Sequence, residues 1–196
     1  MFFQVALGQN KSEFFLENKS IKHVMFEAKQ IAKIYAETGP NSTFMFESSA
    51  ESTYKNELYF DYSITNDSLI ITDIYPKHLE FGSNKMTSTQ IFSVEVWLKI
   101  PKDLSLSIDS KYASIAVNGE FKNLFVNTKS GTCSLNIVNT DANVSTYSGD
   151  IMIKTADAAV DAESQNGKLN IAAFELKRHR LKLKSVDGDI IVKSTN

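Results

Sequence analysis

The sequence has one cysteine and three histidines, and it lacks a long apolar run. Its single cysteine, Cys133, excludes an internal disulfide, and its place in an apolar column predicts a core residue. The three histidines, His23, His78 and His179, are scattered and lack partners at the spacing of a zinc site. No apolar run approaches the roughly 18 residues that a membrane-spanning helix needs. We therefore expect neither a bound metal nor a transmembrane span.

An excess of charge of one sign is also missing, and so are the short motifs of catalysis. The 21 basic and 23 acidic residues leave a net charge of -2 across 196 residues, which argues against a nucleic-acid partner. The sequence contains no phosphate-binding glycine loop, nucleophile elbow or paired-acid motif. We therefore predict a non-enzymatic chain with no catalytic residues and no cofactor.

Five copies of one short pattern fill the second half of the chain. Apolar residues recur in columns whose successive members lie 18 residues apart three times and 21 residues apart at the last step. The columns are Leu106, Leu124, Ala142, Val160 and Leu181; Ile108, Val126, Val144, Ala162 and Leu183; Ile115, Cys133, Ile151, Leu169 and Ile190; and Val117, Leu135, Ile153, Ile171 and Val192. A repeat this short cannot bury its own apolar face, so its copies must stack on one another.

Stacked rungs explain the columns better than a sandwich or barrel of hairpins does. Hairpins also give alternating strands, but they have no need to keep one residue type in aligned columns. Rungs do, because each side chain packs on its equivalents about 4.8 Å above and below. We predict an all-β fold, a single-chain β-solenoid (β-helix), with about five 18-residue rungs over residues 104–196. Residues 10–103 would form a more aromatic, less regular N-terminal β section of the same continuous domain.

The N-terminal section leaves one choice of secondary structure open. Four residues have helical spacing within residues 14–38: Val24, Ala28, Ile31 and Tyr35. The alternation over residues 34–46 resembles an imperfect repeat and favours strands instead. Residues 58–74 are typical of a hairpin, and residues 76–90 are typical of a loop. A strand over residues 92–100 is predicted to end at a proline.

Residues 1–9 resemble the tail of a secretory signal. The segment is short and apolar, and its small residues Ala6 and Gly8 precede a polar stretch. This pattern is typical of a signal cleavage site and predicts cleavage near Gly8 or Gln9. An ordinary edge strand or a frayed terminus is the alternative. The signal interpretation predicts an exported protein in the periplasm, at the outer membrane or outside the cell.

Two polar columns accompany the apolar ones. The turn column holds Ala113 in the first copy and then glycine, which a turn with positive φ selects: Gly131, Gly149, Gly167 and Gly188. Three residues earlier every copy has a hydroxyl: Ser110, Thr128, Thr146, Ser164 and Ser185. We predict that these hydroxyls hydrogen-bond to the turn backbone or to one another. The residues that follow the turn position vary too much for the acidic ladder of a calcium-binding β-roll.

A basic segment coincides with the longer last step of the repeat. It comprises Lys177, Arg178, Arg180, Lys182 and Lys184. Over residues 180–184 the leucines should point inward and the cations outward, as on a solvated strand face that also discourages edge pairing. The functional alternative is a patch for an anionic partner, such as an acidic polysaccharide, a lipid headgroup or another envelope protein.

Two motifs together resemble a known group of bacterial domains. The alternating strand VEVWLKIP over residues 94–101 is followed by LSLSI over residues 104–108, and Gly-Asp-Ile turns recur at residues 149–151 and 188–190. Over roughly residues 25–196 the chain is similar to the head-GIN adhesin family, whose function is unknown. The resemblance implies an all-β solenoid, often exported by bacteria, without established catalytic residues. The chain departs from the pattern at Ala113 and in the basic segment.

Three classes of function remain after these exclusions. The leading hypothesis is a non-enzymatic, exported adhesin or binding module at the bacterial cell envelope, with an unidentified ligand. The second is a structural module that assembles end to end, although the polar residues near the C-terminus should blunt stacking there. The third is a carbohydrate-active enzyme, since lyases and glycosidases also use β-helices, but the outward positions show no converging carboxylates.

Overall fold

The computed structural model of the chain describes residues 11–17, 20–39, 43–50, 59–74 and 94–195. The expected signal remnant at residues 1–9 and the expected loop at residues 76–90 lie outside the described residues. Within the described ranges the chain forms seventeen strands in two sheets and no helix. The prediction of an all-β fold is therefore confirmed.

The seventeen strands are numbered in the order in which they follow one another along the described residues. Their bounds are β1 Lys11–Glu17, β2 His23–Ala28, β3 Lys33–Gly39, β4 Thr43–Ala50, β5 Tyr59–Thr65, β6 Ser68–Ile74, β7 Val94–Pro101, β8 Ser105–Ser110, β9 Ser114–Gly119, β10 Asn123–Ser130, β11 Cys133–Ile137, β12 Asp141–Ser148, β13 Ile151–Thr155, β14 Ala159–Ser164, β15 Leu169–Ile171, β16 Arg180–Ser185 and β17 Ile190–Ser194. The nine-stranded sheet has the order β1-β4-β7-β3-β9-β11-β13-β17-β15. The eight-stranded sheet has the order β14-β16-β12-β10-β8-β2-β6-β5.

Each sequence repeat contributes one strand to each sheet, and we call such a pair of strands a rung. Repeat rungs 1 to 5 are β8/β9, β10/β11, β12/β13, β14/β15 and β16/β17. Neighbouring rungs pair in parallel with equivalent residues opposite one another, as in Leu106 beside Leu124 and Ile115 beside Cys133. The predicted solenoid and its stacked columns are thus confirmed.

The rungs do not stack in the order of the sequence. Strand β16 pairs with β12 on one side and β14 on the other, and β17 pairs with β13 and β15. Rung 5 is therefore inserted between rungs 3 and 4. The three additional residues of the last repeat step fall in residues 172–179, the connection that carries the chain from rung 4 back across to rung 5. Rung 4, and not the last repeat, closes this end of the stack.

The N-terminal section extends the stack and resolves the choice between helix and strand. Residues 23–39 form a rung of β2 and β3, which pairs in parallel with repeat rung 1. On the far side of that rung lie β6 and β7, also in parallel. Strands β1 and β4 then continue one sheet in antiparallel fashion, and β5 pairs with β6 as the predicted hairpin, with Asn66 at a φ of 57° in its turn.

The core runs between the two sheets and changes in character along the stack. In the repeats the inward columns are fully buried from rung 1 to rung 3 and in rung 5. At the N-terminal end the core is aromatic, with the ring centroids of Phe46 and Phe60 at 4.7 Å and those of Phe26 and Phe46 at 6.2 Å. Cys133 is buried, and this burial raises the pKa of its thiol to about 12. The thiol is therefore a protonated core group, as its column predicted.

The turn glycines are required for close backbone contact, and positive φ is not the general reason. Of the four, only Gly131 has a positive φ, of 107°. A Cβ placed on Gly131, Gly149 or Gly188 would overlap the backbone carbonyl of the preceding member in the stack. The overlaps run from Ala113 through Gly131, Gly149 and Gly188 to Gly167, which is the spatial order of the rungs. The conformational explanation drawn from the sequence was wrong for three of the four positions.

The hydroxyl column bonds mainly to the turn backbone, as predicted. Ser110, Ser164 and Ser185 each accept the backbone N–H three residues later, at 3.1, 3.0 and 2.8 Å. The Thr128 hydroxyl instead donates to the carbonyl of Ser130 at 2.7 Å. The buried Thr146 hydroxyl has no hydrogen-bond partner among the described residues.

This difference between two equivalent threonines predicts opposite outcomes for one substitution. Thr128→Val should lower the free energy of unfolding by about 1 kcal/mol, because a buried hydrogen bond is lost. Thr146→Val should be neutral or stabilising, because it removes a buried hydroxyl that bonds to nothing. Urea denaturation of the two variants checks this, and equal losses in both would contradict the assignment.

Candidate functional site

The basic segment lies where the chain crosses from rung 4 to rung 5. Lys177 and Arg178 belong to the crossing connection, and the other three cations project outward from β16. Lys184 Nζ lies 3.2 Å from Glu163 Oε2 on the neighbouring β14, and Lys182 lies opposite Asp161 of the same strand. Two of the five cations therefore face acidic positions of the adjacent rung.

Arg178 has a structural partner within the fold. Its guanidinium Nε lies 2.5 Å from Asp157 Oδ2, and its backbone N–H donates to Asp157 Oδ1 at 2.9 Å. The Asp157 side chain is 7% exposed. Burial opposes ionisation of this carboxyl, but the two hydrogen bonds from Arg178 and the nearby charges of Arg178 and His179 outweigh it and lower the pKa of Asp157. The pair fixes the connection that lets rung 5 enter the stack.

Neutral variants of two neighbouring cations should separate this role from general surface charge. We expect Arg178→Gln to lower the melting temperature, because it leaves a buried carboxylate without its guanidinium. Lys177→Gln is the matched control, since Lys177 is exposed and has no ion pair among the described residues. A thermal melt of both proteins compares them, and indistinguishable curves would argue against the anchoring role.

The same pair has a defined pH dependence. Because the pKa of Asp157 is lowered in the folded state, its stabilisation is present above the ordinary aspartate pKa of 3.8 and is lost as the pH falls through the lowered value. The difference in stability between wild type and Arg178→Gln should therefore be full at neutral pH and shrink in strong acid. A difference that grows on acidification would contradict this.

A second surface was not singled out by sequence reasoning: a groove across the outer face of the nine-stranded sheet. Its volume is about 830 Å³. Outward residues of successive strands line it in two columns. One column is Glu47, Trp97, Tyr35, Ala116, Ser134, Met152 and Ile191, and the other is Met45, Lys99, Glu37, Asn118, Asn136, Lys154 and Lys193. We call this surface the outer groove.

One end of the outer groove is an aromatic wall. The rings of Tyr35 and Trp97 stack with their centroids 5.5 Å apart and an angle of 12° between their planes. The ion pair between Lys33 and Glu95, at 2.7 Å, lies in the next outward register on the same two strands. Glu95, and to a smaller extent Tyr35, raise the pKa of Lys33. Stacking on Trp97 therefore holds the Tyr35 ring in place from one face.

The floor of the outer groove is low because the next two outward residues are small. Ala116 and Ser134 follow Tyr35 on β9 and β11, before Met152 rises on β13. Two intervening strands separate Tyr35 from Met152 by about 14 Å. The face of Tyr35 opposite Trp97 therefore borders an open space.

Polar groups and charge border the same space. Asn136 Nδ2 donates to Asn118 Oδ1 at 2.8 Å, which leaves the Asn118 amide donors and the Asn136 carbonyl at the surface. Lys99 is neutralised by Glu37 at 3.2 Å. Lys154 and Lys193 lie side by side on β13 and β17, and neither has an acidic partner within 4 Å among the described residues. The far end of the groove is therefore positive.

The described residues offer no grouping for metal chemistry and no membrane helix. No cluster of three or more His, Cys, Asp or Glu side chains in them has the geometry of a metal site. None of the described residues belongs to a helix long and apolar enough to cross a membrane.

Comparison with solved structures finds a similar fold in a bacterial protein. A "putative cell adhesion protein" from Clostridium sporogenes is 12% identical, with a TM-score of 0.67 over 94% of this chain and 99% of that one. A "putative adhesin" from Bacteroides fragilis gives 10% identity and a TM-score of 0.37 over 95% and 98% of the two chains. One from Parabacteroides merdae gives 11% and 0.27 over 95% of each. At these identities the first likeness shows the fold alone. No curated protein matches the chain significantly.

The family is established by a sequence match that covers most of the chain. The model of the family described as Toastrack DUF4097 matches residues 40–196. This match spans both the repeat rungs and the β4–β7 part of the N-terminal section, and it agrees with the resemblance to bacterial adhesin domains. The chain belongs to the Toastrack DUF4097 family.

Proposed function

We propose that the chain is a non-enzymatic, exported binding module that acts as an adhesin at the bacterial cell envelope. The outer groove is the observation that carries this proposal, since it combines an aromatic face, two amides with free donor and acceptor groups, and two lysines on one sheet. Ligands bind preferentially in concave sites that have an apolar wall and a few polar groups. The adhesion names of proteins with similar architecture point the same way.

Binding to bacterial envelopes tests the proposal. The labelled chain should sediment with isolated envelopes in a saturable manner. Ser134→Trp, which fills the floor of the outer groove, should remove this binding. Asn143→Trp, an exposed substitution on β12 of the opposite sheet, should leave it unchanged. Absence of saturable binding by the wild type, or equal loss in both variants, would overturn the assignment.

Export is a separate part of the proposal, with its own experiment. It rests on the apolar residues 1–9 and on the adhesion names of the structural relatives. Fractionation of bacteria that express the tagged protein should place it in the periplasm, in the outer membrane or outside the cell. A purely cytosolic fraction would contradict export.

The basic segment is proposed as a second contact for an anionic partner. Lys177, Arg180 and Lys182 are exposed, and no ion pair of their side chains occurs among the described residues. A double Arg180→Ser/Lys182→Ser variant spares the Arg178 anchor and should weaken envelope binding in a salt-dependent way. Binding equal to that of the wild type would exclude this contact.

A second candidate function, end-to-end assembly, is favoured by the open end of the stack. Leu169, Ile171 and Leu176 are 49%, 37% and 54% exposed, and no rung formed by the described residues covers rung 4. The polar residues near the C-terminus cannot blunt stacking here, since they belong to the inserted rung 5. Sizing over a range of concentrations should show association that Leu169→Asp abolishes, and a concentration-independent monomer would exclude it.

A further inference from the structure

The outer groove has a chemical character that narrows its ligand. Aromatic side chains that stand on a sheet offer a flat apolar face, and the axial C–H groups of a pyranose ring pack well against such a face. Tyr35 offers such a face, because Trp97 covers only its other side and Ala116 leaves space in front. Stacking fixes the ring before any ligand arrives, so little conformational entropy is lost on binding.

The amides beyond the aromatic wall suit a ligand rich in hydroxyl groups. The hydrogen bond from Asn136 Nδ2 to Asn118 Oδ1 uses one donor and one acceptor. The Asn118 amide N–H groups and the Asn136 carbonyl oxygen remain available to a ligand. A sugar hydroxyl both donates and accepts, so it can satisfy either amide. A purely apolar peptide would bury these amides without partners, which costs free energy.

The two lysines at the far end favour a ligand with a negative charge. Lys154 and Lys193 are adjacent like charges, and no acid among the described residues neutralises them. Lys99, at the aromatic end, is already paired with Glu37. A ligand that spans the groove would therefore be neutral over Tyr35 and anionic about 14 Å further along the stack.

We infer that the outer groove binds a short stretch of an acidic polysaccharide, with a pyranose ring on the free face of Tyr35, hydroxyls on Asn118 and Asn136, and a uronate carboxylate between Lys154 and Lys193. This inference rests on the proposed binding function and names its ligand class. It places the acidic ligand on the nine-stranded sheet, away from the basic segment.

Titration calorimetry with oligogalacturonate, a polymer of a uronic acid, tests the inference. The wild type should bind, and Tyr35→Ala should weaken binding about tenfold, as expected for the loss of one aromatic contact. A double Lys154→Gln/Lys193→Gln variant should weaken it about tenfold and remove its salt dependence. Lys129→Gln, an exposed change on β10 of the opposite sheet, is the matched control and should bind like the wild type.

The remaining arms make the outcome decisive. Ser134→Trp obstructs the groove without removing any core group, so it keeps the test valid if Tyr35→Ala fails to fold. If the wild type binds a neutral galacto-oligosaccharide as tightly as oligogalacturonate, the assignment of a uronate is wrong. Tighter binding of a sulfated polymer than of oligogalacturonate would also overturn it. If Ser134→Trp still binds envelopes, the outer groove is not the binding site, although the chain would still be a binding module. Oligogalacturonate binding without any envelope binding would support the groove and sink the adhesion proposal.

Discussion

Gly188→Ala should destabilise the protein by about 3 kcal/mol, at the upper end of the cost of overpacking. A Cβ at this position would overlap the carbonyl oxygen and carbon of Gly149 in rung 3, and both are backbone atoms that cannot turn aside. Because φ at Gly188 is not positive, the substitution alone would otherwise favour the folded state by restricting the unfolded chain. Any loss therefore measures the contact between rungs.

Gly39→Ala is the matched control for this prediction. The three atoms nearest to a Cβ on Gly39 all belong to the Lys99 side chain, with Cε at 3.2 Å, and that flexible chain can move. Urea denaturation should show a lower midpoint for Gly188→Ala and little change for Gly39→Ala. Similar midpoints for the two variants would contradict the view that turn backbones stack without room for a methyl group.

Removal of residues 180–196 should unfold the C-terminal half of the stack. Rung 5 buries Leu181, Leu183, Ile190 and Val192, whose burial contributes about 6 kcal/mol or more. In addition, among the described strands β14 pairs only with β16 and β15 only with β17, so rung 4 would lose both of these sheet partners. That loss is comparable with the whole stability of an ordinary domain. Circular dichroism melts and limited proteolysis would measure it.

An internal deletion provides the contrast. Asp150 and Asp189 lie 39 residues apart in sequence, although they are neighbours in the stack. Deletion of residues 159–179 removes rung 4 and its connection and restores the ordinary 18-residue step from rung 3 to rung 5. This variant should fold cooperatively. If truncation were tolerated and the internal deletion were not, the order of the rungs described above would be wrong.

The repeat columns predicted the inward residues and the parallel stacking, but they could not predict the order of the rungs. Leu181 belongs to the same column as Ala142 and Val160, and it packs against either one equally well. The longer last step was the only sequence sign of an irregularity. The sequence predicted a solvated strand face there, with a patch for an anionic partner as the alternative, but not that these residues carry the chain back across rung 4 and anchor it through Arg178 and Asp157.

The outer groove escaped prediction for a different reason. Tyr35 and Trp97 lie in the N-terminal section, outside the periodic columns, and nothing in the sequence states that β3 and β7 are neighbours. Each is an aromatic residue at an outward position of an alternating strand, which is a weak signal by itself. Only the sheet order brings them into a stack and places Lys154 and Lys193 beyond the same groove.

The inserted rung also determines how the protein would resist a mechanical pull. A strand at the edge of a sheet peels away one hydrogen bond at a time when its end is drawn outward. Strand β17 instead lies between β13 and β15, so tension applied beyond Ser194 along the strand would shear two ladders at once. Strand β17 would thus be held against such a pull by its neighbours on both sides.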